Sequence, residues 1–121
     1  MANAFVHVEL ATTDVDKAKD FYGKLFEWKL DDVDMGDGFT YTTIKPAAGT
    51  GGGMMKQPMP GQPSSWLAYV EVADIAASTE KAKKLGAKVM KDVTDVMGMG
   101  KLSIIVDPTG AALGLWQPNK S

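Results

Sequence analysis

The fold of this chain is decided by residues 5–26, which read FVHVELATTDVDKAKDFYGKLF. Val6, Val8 and Leu10 alternate with other side chains, and this period of two is typical of a β-strand with two different faces. Asp14 then stands where a helix N-cap is expected. The apolar residues after it recur at helical spacing, at Ala18, Phe21, Tyr22, Leu25 and Phe26. The stretch predicts a strand followed by a helix whose apolar stripe packs on a sheet.

The same pattern returns 60 residues later, with Asp74 in the place of Asp14 after the alternating strand Leu67–Val72. Three more strands are predicted after each helix, at Trp28–Val33, Phe39–Ile44 and Gly52–Met55 in the first copy and at Lys88–Val93, Lys101–Val106 and Ala111–Trp116 in the second. We therefore predict one domain of two βαβββ modules, at 1–56 and 66–121. A linker rich in proline at 57–65 joins them.

Composition and charge exclude several classes of protein. The chain has 121 residues, no cysteine and a net charge of −2, which excludes disulfides, thiolate nucleophiles and cysteine-based metal sites. Its basic residues are scattered, so we expect no nucleic-acid partner. Residues 1–5 have neither the basic nor the apolar region of a signal peptide, and no apolar run reaches the length of a membrane span. We expect a cytoplasmic protein without a membrane partner.

Several stretches resemble the vicinal oxygen chelate superfamily, the glyoxalase / bleomycin resistance protein / dioxygenase group. They lie at His7–Leu10, Asp14–Tyr22, Leu25–Trp28, Tyr69–Asp74, Asp107–Gly110 and Leu113–Trp116. The resemblance implies an α+β fold in which two βαβββ modules form a curved, cup-shaped mixed sheet with the helices on its outer face. It also implies a homodimer and a site inside the cup that often holds a divalent metal.

The metal ligands that this resemblance implies are mostly missing. His7 falls on the usual ligand position of the first strand, but the other positions fall on Leu67 (or Tyr69), on Gly114 and within Gly51–Met55. A catalytic zinc site needs about three protein ligands, and the chain has one histidine. The sequence thus disfavours a divalent metal and predicts no cofactor.

Two sets of residues are candidates for a site. His7 and Glu9 share the polar face of the first strand and are predicted to act as an acid/base pair or as polar anchors. The alternative is that His7 is satisfied by a neighbour or by solvent. The predicted ligand-binding residues are Tyr41, Met54, Trp66, Tyr69, Glu71, Met97, Met99 and Trp116, because aromatic and methionine side chains line many small-molecule pockets. A subunit interface would use the same residue types.

The glycines at 49 and 51–53 lack the lysine and the helix of a phosphate-binding loop, and they predict the start of a strand that needs close backbone approach or a bulge.

These observations lead to a metal-independent protein that binds or sequesters a small aromatic or amphipathic molecule, on the bleomycin-resistance side of the superfamily. Whether it catalyses a reaction stays open. One alternative is a metal-dependent lyase or dioxygenase with an atypical site, in which His7 is a ligand and Glu9 or Glu71 the acid/base group. The other is a non-catalytic dimeric module used for protein association.

Overall fold

The structure is a computed structural model that describes residues 3–36, 38–96 and 98–119. The elements in chain order are β1 (Phe5–Thr12), α1 (Val15–Leu25), β2 (Lys29–Asp34), β3 (Thr40–Lys45), β4 (Gly52–Lys56), β5 (Ser65–Glu71), α2 (Ile75–Lys84), β6 (Lys88–Val96), β7 (Gly100–Val106) and β8 (Ala112–Pro118). The α+β class and the repeated βαβββ order are confirmed. Within the described residues, neither helix is long and apolar enough to cross a membrane.

The chain divides into two compact units. The first unit is His7–Leu67, and the second unit is Met1–Val6 together with Ala68–Ser121. The strand β1 thus begins in the second unit and continues in the first. Each unit has one helix and its own set of hydrogen-bonded strands.

The sheet of the first unit is mixed. Its strands lie in the order β2-β3-β4-β1, with β1 parallel to β4 and the other pairs antiparallel. On one face, Leu10, Ile44 and Met54 form a buried core against which Val15 and Tyr22, among others, pack. The helix α1 begins as predicted, because the Asp14 side chain accepts a hydrogen bond from the Lys17 backbone N–H at 3.0 Å. The face that carries this core is called the α1 face below.

The second unit repeats this arrangement. Its strands lie in the order β5-β8-β7-β6, with β5 parallel to β8. Val72, Ile75 and Leu115 form its buried core beside α2, and the Asp74 side chain caps that helix by accepting from the Ala77 N–H at 3.1 Å. The buried hydroxyls of Thr79 and Ser103 lie 3.0 Å apart and bond to each other, so α2 is also tied to β7 by a polar contact.

The predicted apolar stripe of the first helix is wider than the surface it covers. Ala18 and Tyr22 pack against the core, but Phe21 is 57% exposed, Leu25 55% and Phe26 44%. The prediction that the whole stripe packs on the sheet is therefore wrong for these three residues, because they project from the side of α1 and its C-terminal end that the core does not reach.

Candidate functional site

Three polar side chains meet on the sheet face opposite α1 in the first unit. His7 and Glu9 occupy alternate positions of β1, and Leu10 on the same strand points to the α1 face, so both lie on the opposite side. The third member is Tyr41 of β3. Its hydroxyl lies 2.7 Å from Nε2 of His7 and donates a hydrogen bond to Oε1 of Glu9 at 3.2 Å. We call His7, Glu9 and Tyr41 the polar cluster.

The phenol of Tyr41 links the other two groups of the cluster. Its hydroxyl donates to Oε1 of Glu9 at 3.2 Å, and its 2.7 Å hydrogen bond with Nε2 of His7 takes the direction that the tautomer of the imidazole sets. The imidazole is therefore held in place by a hydrogen bond at Nε2.

Burial controls the protonation of the imidazole. The side chain of His7 is 33% exposed and that of Glu9 17%. Burial disfavours the charged imidazolium and lowers the pKa of His7 below its ordinary value. A nearby carboxylate favours the charged imidazolium and so raises the pKa of a histidine, and Oε1 of Glu9 lies 3.8 Å from Nε2. Desolvation outweighs that effect, and the cluster holds a neutral histidine near physiological pH.

A glycine on the intervening strand makes the cluster possible. Tyr41 and His7 lie on β3 and β1, and β4 runs between them. A Cβ placed on Gly53 would lie 2.0 Å from the hydroxyl oxygen of Tyr41 and 2.2 Å from its Cζ. The phenol therefore crosses β4 over the bare backbone of Gly53. The glycine run had indicated close approach at a strand, but not that a tyrosine side chain is what approaches.

The remaining predicted residues of the first unit lie on the α1 face. Met54 is fully buried beside Leu10 and Ile44, where its side chain fills the core, and a contact of Met54 with a ligand stays a prediction. Trp66 packs against Tyr22 and Trp28, with ring centroids 5.5 and 6.4 Å away. It does not share a surface with the polar cluster.

In the second unit, Tyr69, Glu71 and Trp116 share the sheet face opposite α2. Tyr69 pairs with Gly114 and Glu71 with Trp116 in the β5–β8 register. Both rings cross glycines: a Cβ on Gly114 would lie 2.3 Å from Cδ2 of Tyr69, and one on Gly100 would lie 2.7 Å from Cζ2 of Trp116. Tyr69 is buried by this packing.

Of the two methionines predicted near the turn between β6 and β7, Met99 is described, and its side chain is 55% exposed. Its backbone is held by hydrogen bonds from its N–H to Val96 and from the Asn119 N–H to its carbonyl. Met97 lies outside the described residues.

The side chains present do not fit the divalent metal that the resemblance implies. In the described part of the chain, no three His, Asp or Glu side chains come together as a metal-binding group. The polar cluster offers one imidazole and one carboxylate, and Nε2 of that imidazole is already hydrogen-bonded to a phenol. The corresponding positions Leu67 and Gly114 carry no donor side chain. The donor set is that of a hydrogen-bonding site.

Comparison with known proteins covers nearly the whole chain. A family model described as the Glyoxalase/Bleomycin resistance protein/Dioxygenase superfamily matches residues 4–115. The Mycobacterium bovis protein named "Putative glyoxylase CFP32" is 40% identical over 117 residues, which are 93% of this chain and 45% of that protein. The "Anthracycline biosynthesis protein DnrV" of Streptomyces peucetius is 28% identical over 123 residues, 90% of this chain and 45% of that one. The chain spans about half the length of these relatives.

Solved structures share the fold at low identity. The hypothetical protein BH1468 from Bacillus halodurans C-125 superposes with a TM-score of 0.75 at 14% identity, covering 100% of this chain and 98% of that one. The methylmalonyl-CoA epimerase from Mycobacterium tuberculosis gives a TM-score of 0.71 at 15% identity, with 96% and 88% covered. At this identity the likeness concerns the fold alone.

Proposed function

The chain belongs to the glyoxalase/bleomycin resistance protein/dioxygenase superfamily, and from this premise we propose that it binds a small organic molecule without a metal ion. The polar cluster of His7, Glu9 and Tyr41 anchors the ligand. We also propose a cytoplasmic homodimer with neither nucleic-acid nor membrane partners. The absence of cysteine suits a reducing compartment.

The observation that carries this proposal is the 2.7 Å contact between Nε2 of His7 and the hydroxyl of Tyr41. The single imidazole of the chain is held in a network with a phenol and a carboxylate, where its Nε2 is already hydrogen-bonded to the phenol. A divalent ion would have to break this network and find further ligands. An organic ligand can join the network as it stands.

The chemistry of the cluster selects the class of ligand. The carboxylate of Glu9 accepts from a hydroxyl or amine, and the neutral imidazole of His7 can accept a proton or donate one as its tautomer requires. The ring of Tyr41 lies beside the imidazole of His7, with centroids 6.4 Å apart, and flat rings next to half-buried polar groups favour a molecule with a flat apolar body and a polar edge. A relative at 28% identity is named for anthracycline biosynthesis, and anthracyclines are planar hydroxylated molecules of this kind. We therefore propose a hydroxylated aromatic ligand.

The test is a binding assay in which the metal is controlled. Purified protein is treated with EDTA, and an anthracycline and simpler polyhydroxylated aromatics are titrated in by calorimetry and thermal shift. A ligand of the folded state raises the melting temperature by mass action. Tyr41→Phe, which keeps the ring and removes the hydroxyl, is expected to weaken binding about fivefold, the value of one hydrogen bond. Near-stoichiometric metal that stays bound to the protein after chelation, or ligand binding that requires added Zn²⁺ or Mn²⁺, would contradict the proposal.

A second candidate function is a lyase of the same superfamily. Three groups able to transfer protons lie within 4 Å of one another in the polar cluster, and a relative at 40% identity is named a glyoxylase. An enzyme of this kind would use His7 or Glu9 as its acid/base group. Turnover of a thiol adduct of an α-ketoaldehyde, in parent protein and in His7→Gln with and without divalent ions, distinguishes it from the binding protein. Turnover by the parent protein that His7→Gln abolishes would favour the enzyme.

A further inference from the structure

A concave surface lies in the first unit, on the α1 face. It is a pocket of about 320 Å³ whose lining includes Val8, Ile44, Trp28 and Trp66. The loop between β3 and β4 completes it with Pro46 and other residues. Val8 stands between His7 and Glu9 in β1, so its side chain points to the opposite side of the sheet from theirs. The pocket is therefore separate from the polar cluster.

The two indoles that line this pocket, Trp28 and Trp66, are held in place by packing against other aromatic rings. Trp66 meets Tyr22 edge to face at 5.5 Å and Trp28 at 6.4 Å, and Tyr22 stacks on Trp28 at 5.7 Å. The indole of Trp66 is nevertheless 41% exposed. An aromatic surface that is held in place and still accessible loses little conformational entropy when a flat ligand covers it.

A glycine allows the two strands at the pocket, β4 and β1, to approach each other closely. A Cβ on Gly52 would lie 1.9 Å from the carbonyl oxygen of Val8, so β4 and β1 pair closely there only because position 52 has no side chain. Gly52 lies beneath the pocket, while Gly53 lies beneath Tyr41 on the other face. The glycine run thus shapes both faces of β4.

The lining decides which occupant fits. None of the described residues that line the pocket carries a charge, so a charged ligand would lose its hydration there without gaining a partner. The volume is at the lower end of the range for small-molecule pockets, which is about 300–1,000 Å³, and suits a compact ring system better than a peptide. Two indoles favour stacking with another aromatic ring. We propose that this pocket binds an uncharged planar aromatic molecule of about two rings.

The experiment uses 6-propionyl-2-dimethylaminonaphthalene, an uncharged dye with one planar two-ring system whose emission shifts to the blue in apolar surroundings. It is titrated into the whole chain while tryptophan quenching is followed. We expect saturable binding of one dye per chain. Ala48→Phe, which places a ring in the pocket that Ala48 lines, should weaken binding about tenfold or more, the effect expected when most of a ring loses its buried contact. Trp66→Phe should weaken it as well.

The matched control is Ala47→Phe, on the same loop but outside the lining, which should bind the dye like the parent. Urea unfolding of each variant verifies that it is folded. Absence of saturable binding, or equal affinity in Ala48→Phe and Ala47→Phe, would overturn the proposal. So would equal weakening by Tyr41→Phe, because the dye would then sit at the polar cluster. Analytical ultracentrifugation measures dimerisation over the same range of protein concentration. If dye binding falls as the chain dimerises, a second copy of the chain occupies the pocket, and this result would also overturn the proposal.

Discussion

Replacing Gly53 by alanine tests the geometry of the polar cluster directly. The new Cβ would lie 2.0 Å from the hydroxyl oxygen of Tyr41 and 2.4 Å from its Cε2. Non-bonded heavy atoms rest about 3.5 Å apart, so the end of the phenol has to retreat by about 1.5 Å. Its bonds of 2.7 Å to His7 and 3.2 Å to Glu9 are then stretched beyond the range of a hydrogen bond.

The expected loss of stability follows from these contacts. Two lost hydrogen bonds are worth about 1 kcal/mol each, and the displaced ring adds about 1 kcal/mol of strain. The alanine recovers about 0.5 kcal/mol by restricting the unfolded chain. Gly53→Ala should therefore reduce the free energy of unfolding by about 2–3 kcal/mol. Urea unfolding, followed by the far-ultraviolet circular dichroism signal, measures this change.

A second readout comes from the imidazole. The chain has one histidine, so its ring resonances in a proton NMR titration belong to His7 alone. Moving the phenol away hydrates the ring, and the pKa of His7, which burial lowers in the parent, should rise toward its ordinary value.

The control is the same substitution in a Tyr41→Ala background, where no ring lies over position 53. There Gly53→Ala should change neither the His7 pKa nor the stability by more than about 0.5 kcal/mol, and the difference between backgrounds measures the coupling. If Gly53→Ala has the same effect with and without Tyr41, the reasoning is refuted.

Three further predictions concern stability. The folded state lowers the pKa of His7, so at pH values between that pKa and the ordinary value of 6.5 the unfolded chain binds more protons than the folded chain. The free energy of unfolding should therefore fall as the pH drops through this window. Urea unfolding at several pH values measures this slope, and His7→Gln should remove the contribution of His7 to it. Met54 is fully buried, so Met54→Ala should reduce the free energy of unfolding by about 3 kcal/mol. Met99 is 55% exposed, so Met99→Ala should change it by no more than about 0.5 kcal/mol. Equal losses of the two variants in thermal unfolding would contradict the assignment of Met54 to the core. Asp74→Ala removes the N-cap of α2 and should reduce the free energy of unfolding by about 1 kcal/mol, whereas Asp74→Asn should keep most of this stability. An alanine variant that is as stable as the parent in urea would show that the cap contributes nothing.

The strand faces could be predicted because period-two alternation is a local property. Alternation alone separates Val8 and Leu10 from His7 and Glu9, and the hydrogen bonds of the polar cluster agree with that separation. The same rule separates Trp66 from Tyr69, because Trp66 shares its alternation with Ala68 and Val70 on the other side of β5. We had grouped the two rings in one site because both are aromatic, and that residue type carries no information about the face.

The contacts between distant strands could not be predicted. β4 is Gly52–Lys56, and its pair of glycines followed by a pair of methionines shows no alternation that separates one face from the other. Only the register Leu10↔Met54 and Thr42↔Met54 places Met54 in the core. The meeting of Tyr41 with His7 depends on this register as well, since it spans 34 positions of sequence. A single sequence carries no signal for such a pairing.

The parallel pairs β1–β4 and β5–β8 have a consequence for the synthesis of this protein. In each unit the first strand finds its partner only in the last, after a helix and two strands have been made. A chain leaving the ribosome therefore carries β1 without a paired strand until β4 has emerged. Such non-local pairing delays folding and leaves strand edges exposed to other chains. The first unit can close while the second is still being translated, whereas β5 must wait for β8 before the second sheet is complete.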